Sequence, residues 1–183
     1  MLKTINTPLT KEIVDTLTVG DRVLLSGVIY TGRDAAHKRL IEMIEKGEDL
    51  PVDLKDQTIY YVGPCPAKPG QAIGSAGPTT SGRMDAYSPV LLDKGLRGMI
   101  GKGSRSQTVI ASMIKNNCVY FAAIGGAGAL LAETVKKAEV VAFPDLGTEA
   151  IHKLTVEKFP VTVVIDNKGN DLYKIGKEKY KKV

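Results

Sequence analysis

Apolar and polar positions alternate with two different periods along the chain, and the changes between them mark its elements. Residues 1–20 predict an edge segment and then a short helix, with Thr10 placed to cap it and Gly20 to end it. Arg22 to Tyr30 (RVLLSGVIY) is dense in branched apolar residues and predicts a strand. The period then lengthens. Ala36, Leu40 and Ile44 lie four apart, with Ile41 and Met43 beside them, so a helix runs from Arg33 or Asp34 to Lys46 and ends at Gly47. Thr58 to Gly63 is a second strand, Val90 to Gly95 a short helix and Gly98 to Gly101 a short strand. A helix over Ser106 to Asn116 turns Val109, Ile110, Met113 and Ile114 inward. Cys118 to Ala123 is a strand, and the glycines at 125–128 open a helix to about Lys137. Glu139–Phe143, Ile151–Val156 and Val161–Asp166 are three further strands, the last turning at Asn167–Asn170 into a hairpin through Asp171-Leu172-Tyr173. Strands and helices alternate without an internal repeat, which predicts a single α/β domain.

Between Gly63 and Pro89 neither period holds. Glycine and proline are so frequent there that no regular element survives, and the chain must form a long loop of specific shape. A loop of this length in a compact domain points to function.

Composition changes the picture in three ways. At 183 residues and 19.6 kDa, with 43% apolar and 25% charged residues, the chain is ordinary in usage, which excludes disorder, collagen and coiled coil. No apolar run approaches the roughly 20 residues of a membrane span, and Lys3, Lys11, Glu12 and Asp15 make the N-terminus unlike a signal peptide. A cytoplasmic protein without a membrane partner is expected. Cys65 and Cys118 are too few for a disulfide framework, a zinc site or an iron–sulfur cluster, so no metal set is expected in this chain. The net charge of +5 suggests nucleic acid, but much of the excess lies in a basic tail, residues 174–183, where Lys174, Lys177, Lys179, Lys181 and Lys182 face only Glu178. Trp is absent and Phe scarce, so bases find few stacking platforms and a nucleic-acid partner is not expected.

The remaining cations of interest stand singly in glycine-bordered loops. Arg33 opens a helix, where its guanidinium and the first backbone amides together suit a carboxylate. His37, one turn later, reads as a packing or surface residue. Thr79, Thr80, Ser81 and Arg83 gather hydroxyls and a guanidinium within five residues, with Asp85 placed to orient Arg83. Lys102 sits between two glycines in Gly101-Lys102-Gly103-Ser104-Arg105-Ser106, which is not a P-loop. Gly125-Gly126-Ala127-Gly128 lacks the spacing of a dinucleotide loop and reads as close packing. Three cations on three loops, with hydroxyls among them, match a small dicarboxylate.

The segments IYTGRDAAHKRL, YVGPCPAKPGQAIGSAGPTTSGRMD, GMIGKGSRS, YFAAIGGAGALLA and FPDLGTEAIHKLTVEKFPVTVVIDNKGND resemble the β subunit of class I fumarate hydratases. The same region forms the C-terminal domain of the single-chain enzymes, and the L-tartrate dehydratase β subunit shares it. The resemblance implies a swivelling β/β/α domain, α/β in class with mixed sheets and flanking helices, over residues 1–173. It implies a partner α subunit that holds a [4Fe–4S] cluster, one iron of which acts as Lewis acid, in an α2β2 assembly. Arg33, Arg83 and Lys102 then fall on the family's substrate-binding cations, Thr79 on the proposed base for the C3 proton, and Thr80 on a further hydrogen-bonding position. Gly32 stands where many relatives have Ala. The implied reaction is reversible hydration of fumarate to S-malate. The alternatives are dehydration of tartrate to oxaloacetate and a non-catalytic carboxylate-binding module.

Overall fold

A computed structural model describes residues 1–181, so Lys182 of the basic tail lies outside the described residues. Four parallel strands carry the fold: β2 (Arg22–Thr31), β3 (Thr58–Tyr60), β4 (Gly98–Gly101) and β5 (Val119–Ala122). The chain passes between them through α2 (Asp34–Lys46), α3 (Ser88–Asp93) and α4 (Gln107–Asn116). β1 (Leu2–Asn6) lies parallel to the first half of β2 and leads into α1 (Lys11–Asp15), whose N-cap is Thr10. After α5 (Gly128–Glu133), strands β6 (Val135–Ala142) and β7 (Ile151–Ile165) complete a seven-stranded mixed sheet. β7 runs antiparallel to β2 and also to β5, so the pairing closes into a ring β2-β3-β4-β5-β7.

The two-residue period of these strands sorts their side chains into two cores. Tyr60, Ile100, Val119 and Phe121 point to one face, where they meet Leu25, Ile29, Phe159 and Val163. Ile59, Tyr61, Met99 and Tyr120 point to the other, under Leu40 of α2, Leu91 of α3 and Val109 and Met113 of α4. Strands buried on both faces have no polar stripe, which is why CVYFAA and TIYYVG read as continuous apolar runs.

The C-terminal third departs from expectation. The helix after Gly125 is only six residues long, and the chain is already in β6 at Val135. The two strands expected at 151–156 and 161–166 are one, because Glu157, Lys158 and Pro160 form an irregularity rather than a break. Lys158 takes a φ of 54°, opposite the register shift at Gly27 on β2, and its amide is held by the Ser26 hydroxyl. The turn at 167–170 brings Asp171 back to a single antiparallel bridge with Ile165, but residues 172–173 add no strand. Asp171 instead accepts from the Tyr173 amide and caps α6 (Leu172–Tyr180), so the basic run from Lys174 onward is helical through Tyr180.

Phe159 is fully buried and meets Tyr60 edge-on at 5.2 Å between ring centroids. Phe159→Ala should therefore cost about 3–5 kcal/mol of stability in urea unfolding. A loss under about 1 kcal/mol would show that the inner face of the ring is not a packed core.

Candidate active site

The loops leaving β2, β3, β4 and β5 all emerge at the carboxyl edge of the parallel strands, where ligands of α/β sheets commonly bind. Arg33, residues 79–83, Lys102 and Gly125 lie on these four loops in turn.

Residues 79–81 are fixed by backbone pairing. The Thr79 amide donates to Tyr61 O at 2.7 Å, the Lys102 amide to Thr79 O at 3.3 Å and the Ser81 amide to Lys102 O at 2.8 Å. This places the two threonines against the Lys102 loop as a short extended segment. Thr79 is half-buried and Thr80 exposed. Among the described residues no side chain or backbone group hydrogen-bonds the Thr79 hydroxyl. Lys102 is exposed and lies along Gly125, where a Cβ would come within 3.8 Å of its Nζ. Gly101 must lack a side chain, since a Cβ there would overlap the Ser81 hydroxyl and lie 2.9 Å from the Tyr61 ring. Gly128 packs against the loop at Ser75–Gly77, as the packing reading of the cluster expects, whereas Gly126 has open space around it and takes a positive φ.

Arg33 and Arg83 meet through a carboxylate that the sequence did not single out. The Arg83 Nε donates to Asp34 Oδ1 at 2.9 Å, and the Arg33 Nε lies 3.7 Å from Asp34 Oδ2. Asp34, rather than Asp85, therefore orients Arg83. The expectation for the start of α2 also needs correction. Its Ala35 amide donates to Glu149 Oε2 at 3.0 Å, and Glu149 Oε1 stands 3.4 Å from the Arg33 Nη2, so that helix end already holds a carboxylate. Gly63 lets the long loop pass over Arg33, for a Cβ there would be 3.1 Å from its Nη1.

Asp85 serves Arg105. The Arg105 side chain is fully buried, yet every part of it is met. Its Nε donates to Asp85 Oδ1 at 2.7 Å, Nη2 to the Ser88 hydroxyl at 2.6 Å and Nη1 to the Tyr61 hydroxyl at 3.3 Å, while its plane sits about 5 Å from the rings of Tyr61 and Tyr120. Burial opposes its charge, but Tyr61 and Asp85 outweigh that and hold its pKa above the ordinary value. The other Asp85 oxygen takes the Ser106 amide at 2.6 Å, before α4. The GKGSRS and RMD segments are thus one structural clamp. Only a pairing of the unassigned charges in the two loops could have signalled it.

The two thiols do not fit an iron–sulfur cluster. Cys65 is exposed in the long loop, whereas Cys118 is buried below α4, its thiol donating to Leu96 O at 3.2 Å and its pKa pushed up by burial to about 12. The described residues offer no group of three or more His, Cys, Asp or Glu arranged for a metal. A cavity of about 620 Å³ between the loop at Cys65–Ser75 and α5 includes none of Arg33, Thr79, Thr80, Arg83 and Lys102.

Comparison with known proteins now decides the family. Residues 2–176 match the model of the Fumarase C-terminus family. The chain belongs to that family. It is 45% identical over 174 residues to an anaerobic class I fumarate hydratase of Escherichia coli K12, a match over 92% of this chain and 32% of that protein. It is 44% identical over 157 residues to fumarate hydratase 2 of Leishmania major, over 85% of this chain and 28% of that one. Over 182 residues it is 41% identical to a putative L(+)-tartrate dehydratase subunit beta of Methanocaldococcus jannaschii, with 96% and 93% covered. This member of the family thus spans about a third of the fumarate hydratases it matches and nearly all of the separate β subunit. Its α/β class, with a mixed sheet and flanking helices, agrees with the sequence expectation.

His37 is fully buried under Tyr61 and Tyr87 and packs rather than reacts at the edge. Its Nδ1 donates to Arg33 O at 2.8 Å, and Nε2 has no partner among the described residues. Burial lowers its pKa from 6.5 to about 4, against the opposing backbone hydrogen bond. As pH falls through this window the unfolded chain takes a proton that the folded chain refuses. Stability should fall by about 3 kcal/mol and then level off below the folded pKa. His37→Gln should flatten this part of a stability–pH curve. An unchanged slope would contradict the assignment.

Proposed function

We propose that this chain is the β chain of an iron–sulfur-dependent hydro-lyase that reversibly hydrates fumarate to S-malate in the cytoplasm. The cluster, in this reading, belongs to a partner α chain, in an assembly of two α and two β chains. The single observation that supports the reading most is the gathering of Arg33, Thr79, Arg83 and Lys102 on loops at one strand edge, in a chain 45% identical to a class I fumarate hydratase. The half-exposed Arg83 and exposed Lys102 suit a face completed by another polypeptide. Residues 1–173 would then swivel as one domain against it.

The cations have a direct chemical task. Removing the C3 proton of malate places negative charge on the adjacent carboxylate. Donors already aimed at that group stabilise the charge as it develops. Arg33, Arg83 and Lys102 supply these donors, and the Thr80 hydroxyl adds another. In this reading Thr79 takes the proton. A threonine hydroxyl is a weak base unaided, and no group of the described residues hydrogen-bonds it. Its activation therefore comes from the completed complex.

Dehydration of tartrate to oxaloacetate is the second reading, favoured by the nearly full-length match to a tartrate dehydratase subunit beta. The same cations would grip either diacid. A panel of fumarate, malate and tartrate, run on the chain co-purified anaerobically with its partner, separates the two. Hydration of fumarate by the complex, and none by the chain alone, is expected. Turnover of tartrate without malate would overturn the fumarase assignment. Lys102→Met should raise KM for the diacid about tenfold to a hundredfold, the loss of a hydrogen bond to a charged group. Unchanged KM would remove Lys102 from the site.

A further inference from the structure

We propose that Asp34 is a positioning residue that holds Arg33 and Arg83 as one pair of guanidiniums facing the diacid. The inference rests on the proposed reading of the site and adds a residue to it. Asp34 is the first residue of α2, where a negative charge is favoured by the helix dipole. Its two oxygens address different arginines on different elements: Oδ1 takes the Arg83 Nε of the 3-10 turn Ser81–Met84 at 2.9 Å, and Oδ2 faces the Arg33 Nε at 3.7 Å.

The atoms involved are informative. An arginine held through Nε keeps its Nη groups for a ligand, because the guanidinium donates along more than one edge. Arg83 makes no other side-chain hydrogen bond or ion pair among the described residues, and its side chain is half exposed, so its Nη groups are open. Arg33 is further braced by Glu149 at its Nη2. The contact between Arg33 and Asp34 is too long for a hydrogen bond. Its two facing atoms are buried with no other partner. A donor and an acceptor left apart in this way cost free energy. Left open, the contact lets the Arg33 guanidinium turn toward a ligand while Asp34 keeps its base in place. A dicarboxylate needs two donors at a set separation, and Asp34 is the group common to both.

The test uses the full chain co-purified with its iron–sulfur partner and whichever diacid that complex turns over. Asp34→Asn, Asp34→Glu, Arg83→Ala and the double variant Asp34→Asn/Arg83→Ala are compared, with Lys102→Met as the reference. Asp34→Asn should raise KM about tenfold and leave kcat within about threefold, and Asp34→Glu should fall between it and the parent. Once Arg83 is alanine, adding Asp34→Asn should raise KM only about twofold, because one of its two clients is gone. A purely structural role would lower thermal stability without this KM-specific, Arg83-dependent change. Unchanged KM in Asp34→Asn beside a raised KM in Lys102→Met overturns the proposal and leaves the site standing. So does the full effect in the Arg83→Ala background, or a collapse of kcat at constant KM. Unchanged KM in both Asp34→Asn and Lys102→Met overturns the site and the proposal together. If Asp34→Asn does not fold, Asp34→Glu decides: a severalfold rise in KM supports the proposal, and a parental KM overturns it.

Discussion

One buried guanidinium sets the geometry on which the site depends. Arg105 leaves the β4 loop and is received by Asp85 of the β3 loop and Ser88 at the start of α3, with Tyr61, just past β3, and Tyr120 of β5 against its face. Burying such a charge costs several kcal/mol unless its partners are in place. Here each nitrogen has a partner, so the two loops are stable only in each other's company. Thr79 to Arg83 lie on one of these loops and Lys102 on the other. The backbone pairing of residues 79–81 with Lys102 sets the spacing of the threonines and the lysine, and Arg105, which touches neither side chain, braces the two loops behind it.

The second determinant is charge balance at the strand edge. Arg33, Arg83 and Lys102 are not bare cations crowded together. Asp34 stands between the two arginines, and Glu149 closes the start of α2. The carboxylates lower the mutual repulsion of the guanidiniums while leaving donors for a ligand. Lys102, exposed along the Gly125 backbone, is the cation that no carboxylate of the described residues neutralises. A dianion approaching this edge meets oriented donors rather than a diffuse positive surface, which is the condition for recognising two carboxylates at a set spacing.

The parallel half of the fold was legible because its signals are local. Ala36, Leu40 and Ile44 share a helix face, Gly47 takes the left-handed conformation of a C-cap, and β4 lies at Gly98–Gly101 as expected. The antiparallel half was not. Whether Lys158 and Pro160 end a strand or bulge within it depends on the opposing residues of β2, 130 and more positions away in sequence. The site divides the same way. Arg33, Arg83 and Lys102 were visible as isolated cations in glycine-rich loops. Their partners were misassigned, because Asp85 is near Arg83 in sequence while Asp34 is near it in space. A helix N-terminus looked open to a ligand until a distant turn supplied Glu149.

The central claim is that the loops after β2, β3 and β4 present one diacid-binding face. A crystal structure of the chain with its partner and a bound dicarboxylate tests it most directly. The account predicts carboxylate oxygens within hydrogen-bond distance of Arg83 and Lys102, and the Thr79 hydroxyl next to the carbon between them. A diacid seated elsewhere, with Arg83 and Lys102 both turned to solvent, would contradict it.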